Sequence, residues 1–301
     1  MVNTLTLPAT EILLVPLSSA RRFYPLVFAL VLTVGAAGPV HGSASPDGPI
    51  SPKALKLGYG VYLGGVHILD ATLRLDVTRD TYWVEVATKA EGFVARMMPW
   101  ETRAESGGDV NATALHPQRH ETMSRWRKKV RTVTLSYDGK GAVTTATKPP
   151  PAADDRDAVP ERQRRNTVDP LSGVLGVTHA VAAGQGCNRA VPVFDGRRRY
   201  DLLFTETGRR DLAKTDYSVY AGPALLCRVA FKPIAGYPKK RENSRFWQSG
   251  PGGRPPADLW LAPVTAGGPP VPVRLETASV FGSILVHLRS IQPDTATAAA
   301  K

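Results

Sequence analysis

The sequence predicts a mainly β protein: a single strongly curved antiparallel sheet, open or half-barrel, wrapped around one buried α-helix. Three observations lead there. Runs rich in β-branched and aromatic residues alternate at period two between tight turns over most of the chain. One segment, Leu171 to Ala183 (LSGVLGVTHAVAA), carries both helix start and helix stop signals. That segment is apolar or small nearly all round, and a helix without a polar face is buried on most sides. In a chain otherwise made of strands, the concave face of a curled sheet is the simplest place for it. Large antiparallel sheets curl to bury one face and blunt their edges.

The first 42 residues stand apart from this fold. Arg21 and Arg22 precede the apolar run Phe23 to Val40, which gives way to small residues from His41 to Ser45. A basic region, an apolar region and a small-residue end make a secretory signal peptide, residues 1–42, with a cut before Ser43 or Ser45. Pro25, Pro39 and the closing Gly and Ala residues argue against a permanent anchor. Cysteine does not occur near the cut, which argues against a lipid anchor. The expected product is periplasmic, soluble and monomeric, and begins with a flexible segment at 43–53.

A single domain is expected over 54–291. Ala54 to Leu63 meets Gly64-Gly65, Val66 to Val77 runs to Thr78-Arg79-Asp80, and Thr81 to Ala90 follows, an antiparallel meander. Glu91 to Trp100 breaks the alternation. Phe93, Val94, Met97 and Met98 recur at near-helical spacing and Pro99 ends the run, so one or two helical turns should cap an end of the sheet. Strands resume at Glu101 to Ser106 and Pro117 to Ser124. Lys128 to Tyr137 then pairs with Gly141 to Lys148 across Asp138-Gly139, the strongest short hairpin signal in the chain. Lys148 to Arg165 is a proline-rich polar loop. Asp169 is a good N-cap, Pro170 suits the first helical position, and Gly184 or Gly186 supplies the stop. Gly173 and Gly176 allow close backbone approach. Strands are expected at 191–194, 197–204, 216–220, 225–233, 259–262, 271–279 and 283–291, with a disordered tail at 292–301.

Of 301 residues, 43% are hydrophobic and 21% charged, an ordinary globular composition. The net charge is +12, of which Arg21, Arg22 and Glu11 leave +11 to the part after residue 42. Such a field favours polyanions such as anionic lipid head groups. The basic residues are spread along the chain rather than gathered in one run, so no nucleic-acid partner is expected. The two cysteines, Cys187 and Cys227, are expected to pair in an oxidising compartment. They would close a loop of about 41 residues, worth ~4 kcal/mol on the chain-entropy account.

Catalytic signatures are missing. No nucleophile elbow, zinc-protease pair, phosphate loop or dinucleotide fingerprint occurs. His116 and His120 are four apart with Pro117 between them, which spoils a helical metal pair. His179 reads as a hydrogen-bonded histidine of the buried helix, and Ser172 as helix surface without a nearby base. No enzyme activity, cofactor or metal is expected.

Two clusters remain for binding. Phe93, Val94, Met97, Met98 and Trp100 either plug the sheet end as core or form an adaptable surface suited to lipid tails. The stretch Phe194 to Phe204 (FDGRRRYDLLF) is either a turn and a strand or an anion site. In it Arg197, Arg199 and Asp201 share one face at period two, an alternating-sign row of the kind that satisfies itself.

The order of several motifs resembles the exported bacterial proteins grouped as domain of unknown function DUF3108. These are GVYLGG at 60–65 with Ala71-Thr72-Leu73, Pro99-Trp100, TVDPLS at 167–172, VFDGRRRYDL at 193–202, Cys227 followed by PIAGY at 233–237, and PVRLE at 272–276 followed by Gly282. The match runs from Leu55 to Ile291. The resemblance implies a periplasmic protein of unestablished function, with a shape similar to lipoprotein carriers and localisation factors. The leading expectation is a non-enzymatic binding or envelope-maintenance protein. Its apolar or amphiphilic ligand, an anionic lipid for instance, would lie between sheet and helix beside Leu171, Val174, Leu175 and Val181, with an opening near Met97 and Trp100. The alternative is a structural or protein-interaction module with a filled core. An enzyme acting on envelope glycans would need clustered carboxylates that the sequence does not group.

Overall fold

The computed structural model describes residues 54–111, 114–150, 157–237, 255–265, 268–279 and 281–294. The expected signal peptide, the 43–53 segment and residues 295–301 of the tail lie outside the described residues. A first meander comprises β1 (Leu55–Leu63), β2 (Val66–Val77), β3 (Thr81–Ala90), β4 (Trp100–Val110), β5 (Leu115–Trp126), β6 (Lys129–Tyr137) and β7 (Val143–Lys148). A second comprises β8 (Arg189–Phe194), β9 (Arg199–Leu212), β10 (Gly222–Ala235), β11 (Ala257–Pro263), β12 (Pro270–Ser279) and β13 (Gly282–Pro293). The meanders join where β1 pairs antiparallel with β13. The result is one open 13-stranded antiparallel sheet in the order β7-β6-β5-β4-β3-β2-β1-β13-β12-β11-β10-β9-β8.

Strand alternation decides which face is buried. On β3, Tyr82, Val84, Val86, Thr88 and Ala90 are buried, while Thr81, Trp83, Ala87 and Lys89 are more accessible. Glu85 breaks the alternation because Arg103 of β4 pairs with it and compensates its burial. The buried faces of β1–β3 and β8–β13 share one hydrophobic cluster.

Of the three helices among the described residues, α1 (Gly92–Met97) and α2 (Glu161–Arg164) are short, and α3 (Pro170–Ala182) is the long one. Asp169 caps α3 by accepting hydrogen bonds from the Leu171 and Ser172 amides, and Pro170 occupies the first turn. The helix ends ahead of Gly184 and Gly186, whose φ angles of +75° and +66° suit residues without a Cβ. It packs on β4 and β5 of the first meander and on β8 and β12 of the second.

The two end strands of the sheet, β7 and β8, do not pair with each other. The Val168 amide donates to the Pro192 carbonyl and the Phe194 amide to the Val168 carbonyl, so this segment occupies the β8 edge. Two residues earlier, the Asn166 amide donates to the Gly141 carbonyl beside β7. A second hydrophobic cluster, Leu135, Val143, Val159 and Phe194, lies across the same gap. Cys187 and Cys227 form a disulfide with a Cα–Cα distance of 6.3 Å, fully buried, fastening the segment after α3 to β10. It closes a loop spanning 40 positions.

Several expected boundaries shift. The strand expected at 216–220 is a loop with a single Thr215–Ser218 bridge. Asp138-Gly139 begins a turn running to Ala142, because the Asp138 carboxylate accepts from the Lys140 and Ala142 amides and widens it. β13 continues past Ile291, pairing Pro293 with Leu55, so Gln292 and Pro293 belong to the sheet and not to a tail.

The two helix glycines differ. A Cβ on Gly173 would lie 3.2 Å from Val191 Cγ1 and 3.4 Å from both Val168 and Val193, whereas one on Gly176 would meet nothing within 4 Å. Gly173→Ala should therefore cost about 1–3 kcal/mol through overpacking. Gly176→Ala should add about 0.5–1 kcal/mol by restricting the unfolded chain. Thermal denaturation of the two variants should move the midpoint in opposite directions.

Candidate functional site

Antiparallel order brings four non-consecutive connections to one end of the sheet. The Gly64 amide of the β1–β2 turn donates to the Ser283 carbonyl at the start of β13 (3.0 Å). The Glu91 amide, just before α1, donates to the Ile68 carbonyl of β2, and the Arg127 amide of the β5–β6 turn donates to the Pro99 carbonyl. On this rim stand Val66, Phe93, Met97, Val130 and Phe281, between 43% and 69% exposed. They are five of the eight large hydrophobic residues left exposed in the described residues. Arg96, Arg127, Lys128 and Lys129 are exposed beside them and have no ion-pair partner among the described residues. Apolar residues singly exposed need no explanation, but grouped ones mark an interaction surface.

The apolar cluster expected around α1 divides in two. Phe93 and Met97 face solvent, while Val94 and Trp100 pack against the main core and Met98 is half-buried. The helix residues Leu171, Val174 and Leu175 are at most 2% exposed within that core, and Val181 packs at its margin. The principal contacts of α1 are with β2 and β3, whereas those of α3 are with β4, β5, β8 and β12. Within the core, the hydroxyls of Tyr59 and Thr88 are buried without a hydrogen-bond partner. They belong to one cross-strand row, in which Ala71 of β2 stands between them. Burial pushes the Tyr59 phenol far above its ordinary range.

A buried polar network ties α3 to the first meander. The Asp169 carboxylate accepts from Ser106 Oγ at 2.6 Å on Oδ1 and from Ser172 Oγ at 2.5 Å on Oδ2, besides the two helix amides. Tyr82 Oη lies 2.6 Å from Ser172 Oγ. His120 Nδ1 lies 2.7 Å from Ser106 Oγ and 3.3 Å from Asp169 Oδ1, while its Nε2 lies 2.8 Å from Thr122 Oγ1. Each serine has one hydroxyl proton, and both are committed to Asp169. His120 Nδ1 and Tyr82 Oη therefore donate to Ser106 and Ser172 in turn. His120 Nδ1 is shared between Ser106 Oγ and Asp169 Oδ1, and both serine hydroxyls donate to the carboxylate, so neither serine hands its proton to histidine as a nucleophilic relay requires. The arrangement fixes a helix to a sheet.

Sequence reasoning missed most of this network. Ser172 is 2% exposed and not on a helix surface. His116 and His120 lie on β5, but the register shift of β4 between Gly107 and Gly108 falls between their partners. His116 is exposed on Asn111 while His120 is buried. The usable signal was strand alternation on β4 and β5, with the Asp169 cap as the third member.

The FDGRRRYDLLF stretch forms a turn between β8 and β9. Asp195 accepts from the Arg197 and Arg198 amides and pairs with the Arg198 guanidinium, and Gly196 takes φ +85°. Arg199 donates to Asp201 Oδ1 (2.6 Å) and to the Gln163 carbonyl (3.1 Å). The Arg197 side chain is likewise not free.

These features define a class first: a mainly β protein built on one open, disulfide-fastened antiparallel sheet with a basic, apolar rim. No group of three or more potential metal ligands exists among the described residues, and none of their helices is long and apolar enough to cross a membrane. Residues 58–289 match the family described as "Protein of unknown function (DUF3108)", and the chain belongs to it. No curated protein matches the chain. A solved structure similar to it is a β-barrel-like protein of domain of unknown function DUF1849 from Brucella abortus. It shares 9% identity and a TM-score of 0.43, over 82% of this chain and 100% of that one.

Burial alone would raise the Asp169 carboxyl, but the His120 imidazole and hydrogen bonds from His120, Ser106 and Ser172 outweigh it and hold it below 3.8. The folded carboxylate keeps its charge to lower pH than the unfolded one. Its contribution is complete above pH 3.8 and is lost as the pH falls through the lowered value. Asp169→Asn keeps a good N-cap but removes the charge, and should cost on the order of 3 kcal/mol while flattening the acid limb of the stability profile. Denaturant unfolding between pH 2 and pH 7 checks both. Tyr59→Phe removes a buried hydroxyl without a protein partner and should leave stability unchanged or raised by up to about 1 kcal/mol. A clear loss in calorimetry would mean that water or ligand satisfies that hydroxyl.

Proposed function

We propose that this chain is an exported, non-enzymatic envelope protein that binds an anionic amphiphile, and that the rim around α1 is its docking surface. The observation that carries this reading is the rim's composition. Phe93, Met97, Val66, Val130 and Phe281 surround Arg96, Arg127, Lys128 and Lys129 on turns brought together by the sheet order. Apolar side chains can enter the acyl boundary while the cations meet anionic head groups, and each basic residue near such a surface contributes about 1 kcal/mol. The net charge of +11 that remains after residue 42 (+12 for the whole chain less +1 for Arg21, Arg22 and Glu11) acts in the same direction at longer range. Export rests on the apolar segment after Arg21-Arg22, and the buried disulfide suits an oxidising compartment.

A ligand held wholly between sheet and helix would have to separate Leu171, Val174 and Leu175 from a core in which they are at most 2% exposed. Docking at the rim requires no such opening.

The test is flotation of the purified protein with phosphatidylglycerol and phosphatidylcholine vesicles. Binding is expected to the anionic vesicles only and to weaken as salt rises. Phe93→Ser with Met97→Ser, both at exposed positions, should reduce binding by roughly tenfold or more while the melting temperature stays unchanged. Equal binding to both vesicle types, or none, would favour a protein-interaction module instead.

A further inference from the structure

A hollow of about 320 Å³ lies where β3, β4 and β5 run side by side. It is on the outer face of the sheet, since Trp83 alternates with the buried Tyr82 and Val84, and Glu105 neighbours the buried Ser106. It is also toward the opposite strand ends from the rim, near Thr81 and Asp109.

Glycine creates it. Gly107 stands in register between Trp83 of β3 and Arg119 of β5. Two strand spacings separate those neighbours, about 9.5 Å. With no side chain between them, the indole and the arginine arm flank a slot floored by backbone. A flat six-membered ring occupies such a slot edge-in, with one face toward the indole.

The polar lining has a distinct character. Glu85, Glu105 and Glu121 are directly opposite one another on three adjacent strands. Like charges in such a row repel. Arg103 pairs with Glu85 and Arg119 with Glu121, at 2.7 Å for the latter. Glu105, half-buried and lining the hollow, has no hydrogen-bond or ion-pair partner among the described residues. Asp109 accepts from Gln118 Nε2 at 2.8 Å. The slot thus offers a carboxylate in need of donors, an amide, and an aromatic face whose negative quadrupole attracts polarised C–H groups. Of the charged groups that line the hollow, Glu105 and Asp109 are carboxylates and the one cation, Arg119, is spent on Glu121, so phosphates and carboxylates are disfavoured although the chain as a whole is basic.

We propose that this hollow is a binding site for a pyranose unit of a neutral saccharide. Its C–H face stacks on Trp83, its hydroxyls donate to Glu105, and Gln118 supplies a hydrogen bond beside Asp109. The volume is at the small end for ligand sites and suits one or two sugar rings rather than a long chain. The site is independent of the amphiphile rim, and either can fail without the other.

Gly107 provides a variant that fills the slot without breaking the sheet. Its φ is not in the left-handed region, and a Cβ there would make only ordinary contacts, 3.4 Å to the Tyr82 carbonyl and 3.9 Å to Trp83. Gly108 would not serve, since its Cβ would lie 2.1 Å from the His116 carbonyl. Isothermal titration of the whole protein with maltotetraose, mannotetraose and the tetramer of N-acetylglucosamine is the experiment. At least one of the three should bind saturably. Gly107→Leu and Trp83→Ala should each weaken it by at least about tenfold, and Glu105→Gln should weaken it less. The melting temperature of each variant, measured beside that of the unaltered protein, shows that it is folded. If none of the three binds at millimolar concentration, or if both slot variants bind as tightly as the unaltered protein, the proposal is overturned.

Discussion

One carboxylate holds the two halves of this architecture in register. Asp169 begins α3 by taking its first free amides, and the same two oxygens take hydroxyl protons from Ser106 of β4 and Ser172 of the helix. A helix as apolar as α3 has no directional preference of its own against an apolar sheet. Hydrophobic burial supplies the driving force, but it is non-directional. The Asp169 network, fully desolvated and with each donor assigned, allows one position and one orientation. It is expensive to leave incomplete, and that cost is what gives it specificity.

The remainder of the sheet follows from covering its ends. A 13-stranded antiparallel sheet with two open edges presents unpaired amides and carbonyls along β7 and β8. Val168 occupies part of the β8 edge by bonding to Pro192 and Phe194, and Asn166 ties the same segment to Gly141 of the β6–β7 turn. The buried disulfide secures the far end of the same excursion, where the chain leaves α3 and returns to the sheet. Edge protection and helix placement are thus carried by one stretch of chain.

Most of the fold was legible because its signals are local. Period-two alternation marked twelve of the strands to within about four residues, though β9 runs to Leu212, well past its expected end at 204, and Asp169-Pro170 with Gly184 marked α3. The segment 216–220 misled because Tyr217, Val219 and Tyr220 favour strands. In the fold Tyr217 lies against Tyr62 and His287, and the Val219 amide is spent on the Leu288 carbonyl, so the segment forms no ladder of its own. Half of the rim was readable, since Phe93 and Met97 share one helical turn. Val66, Phe281 and Arg127 join them only through the strand order, which no local pattern encodes. His120 and Ser106 were hidden for the same reason. A lone histidine on a strand looks alike whether its face meets water or a helix N-cap.

The pairing of β1 with β13 has a kinetic side. The middle of the finished sheet is built from its first and last strands, with Tyr59 set against Leu288 and Leu57 against Ile291. Until β13 has been made, β1 has β2 on one side and no strand on the other, and the core against which α3 packs is incomplete. Each meander can assemble from contacts close in sequence, but their union waits for contacts separated by more than 200 residues. Loop closure over such distances is slow. The chain therefore completes its core only after its last strand has joined its first.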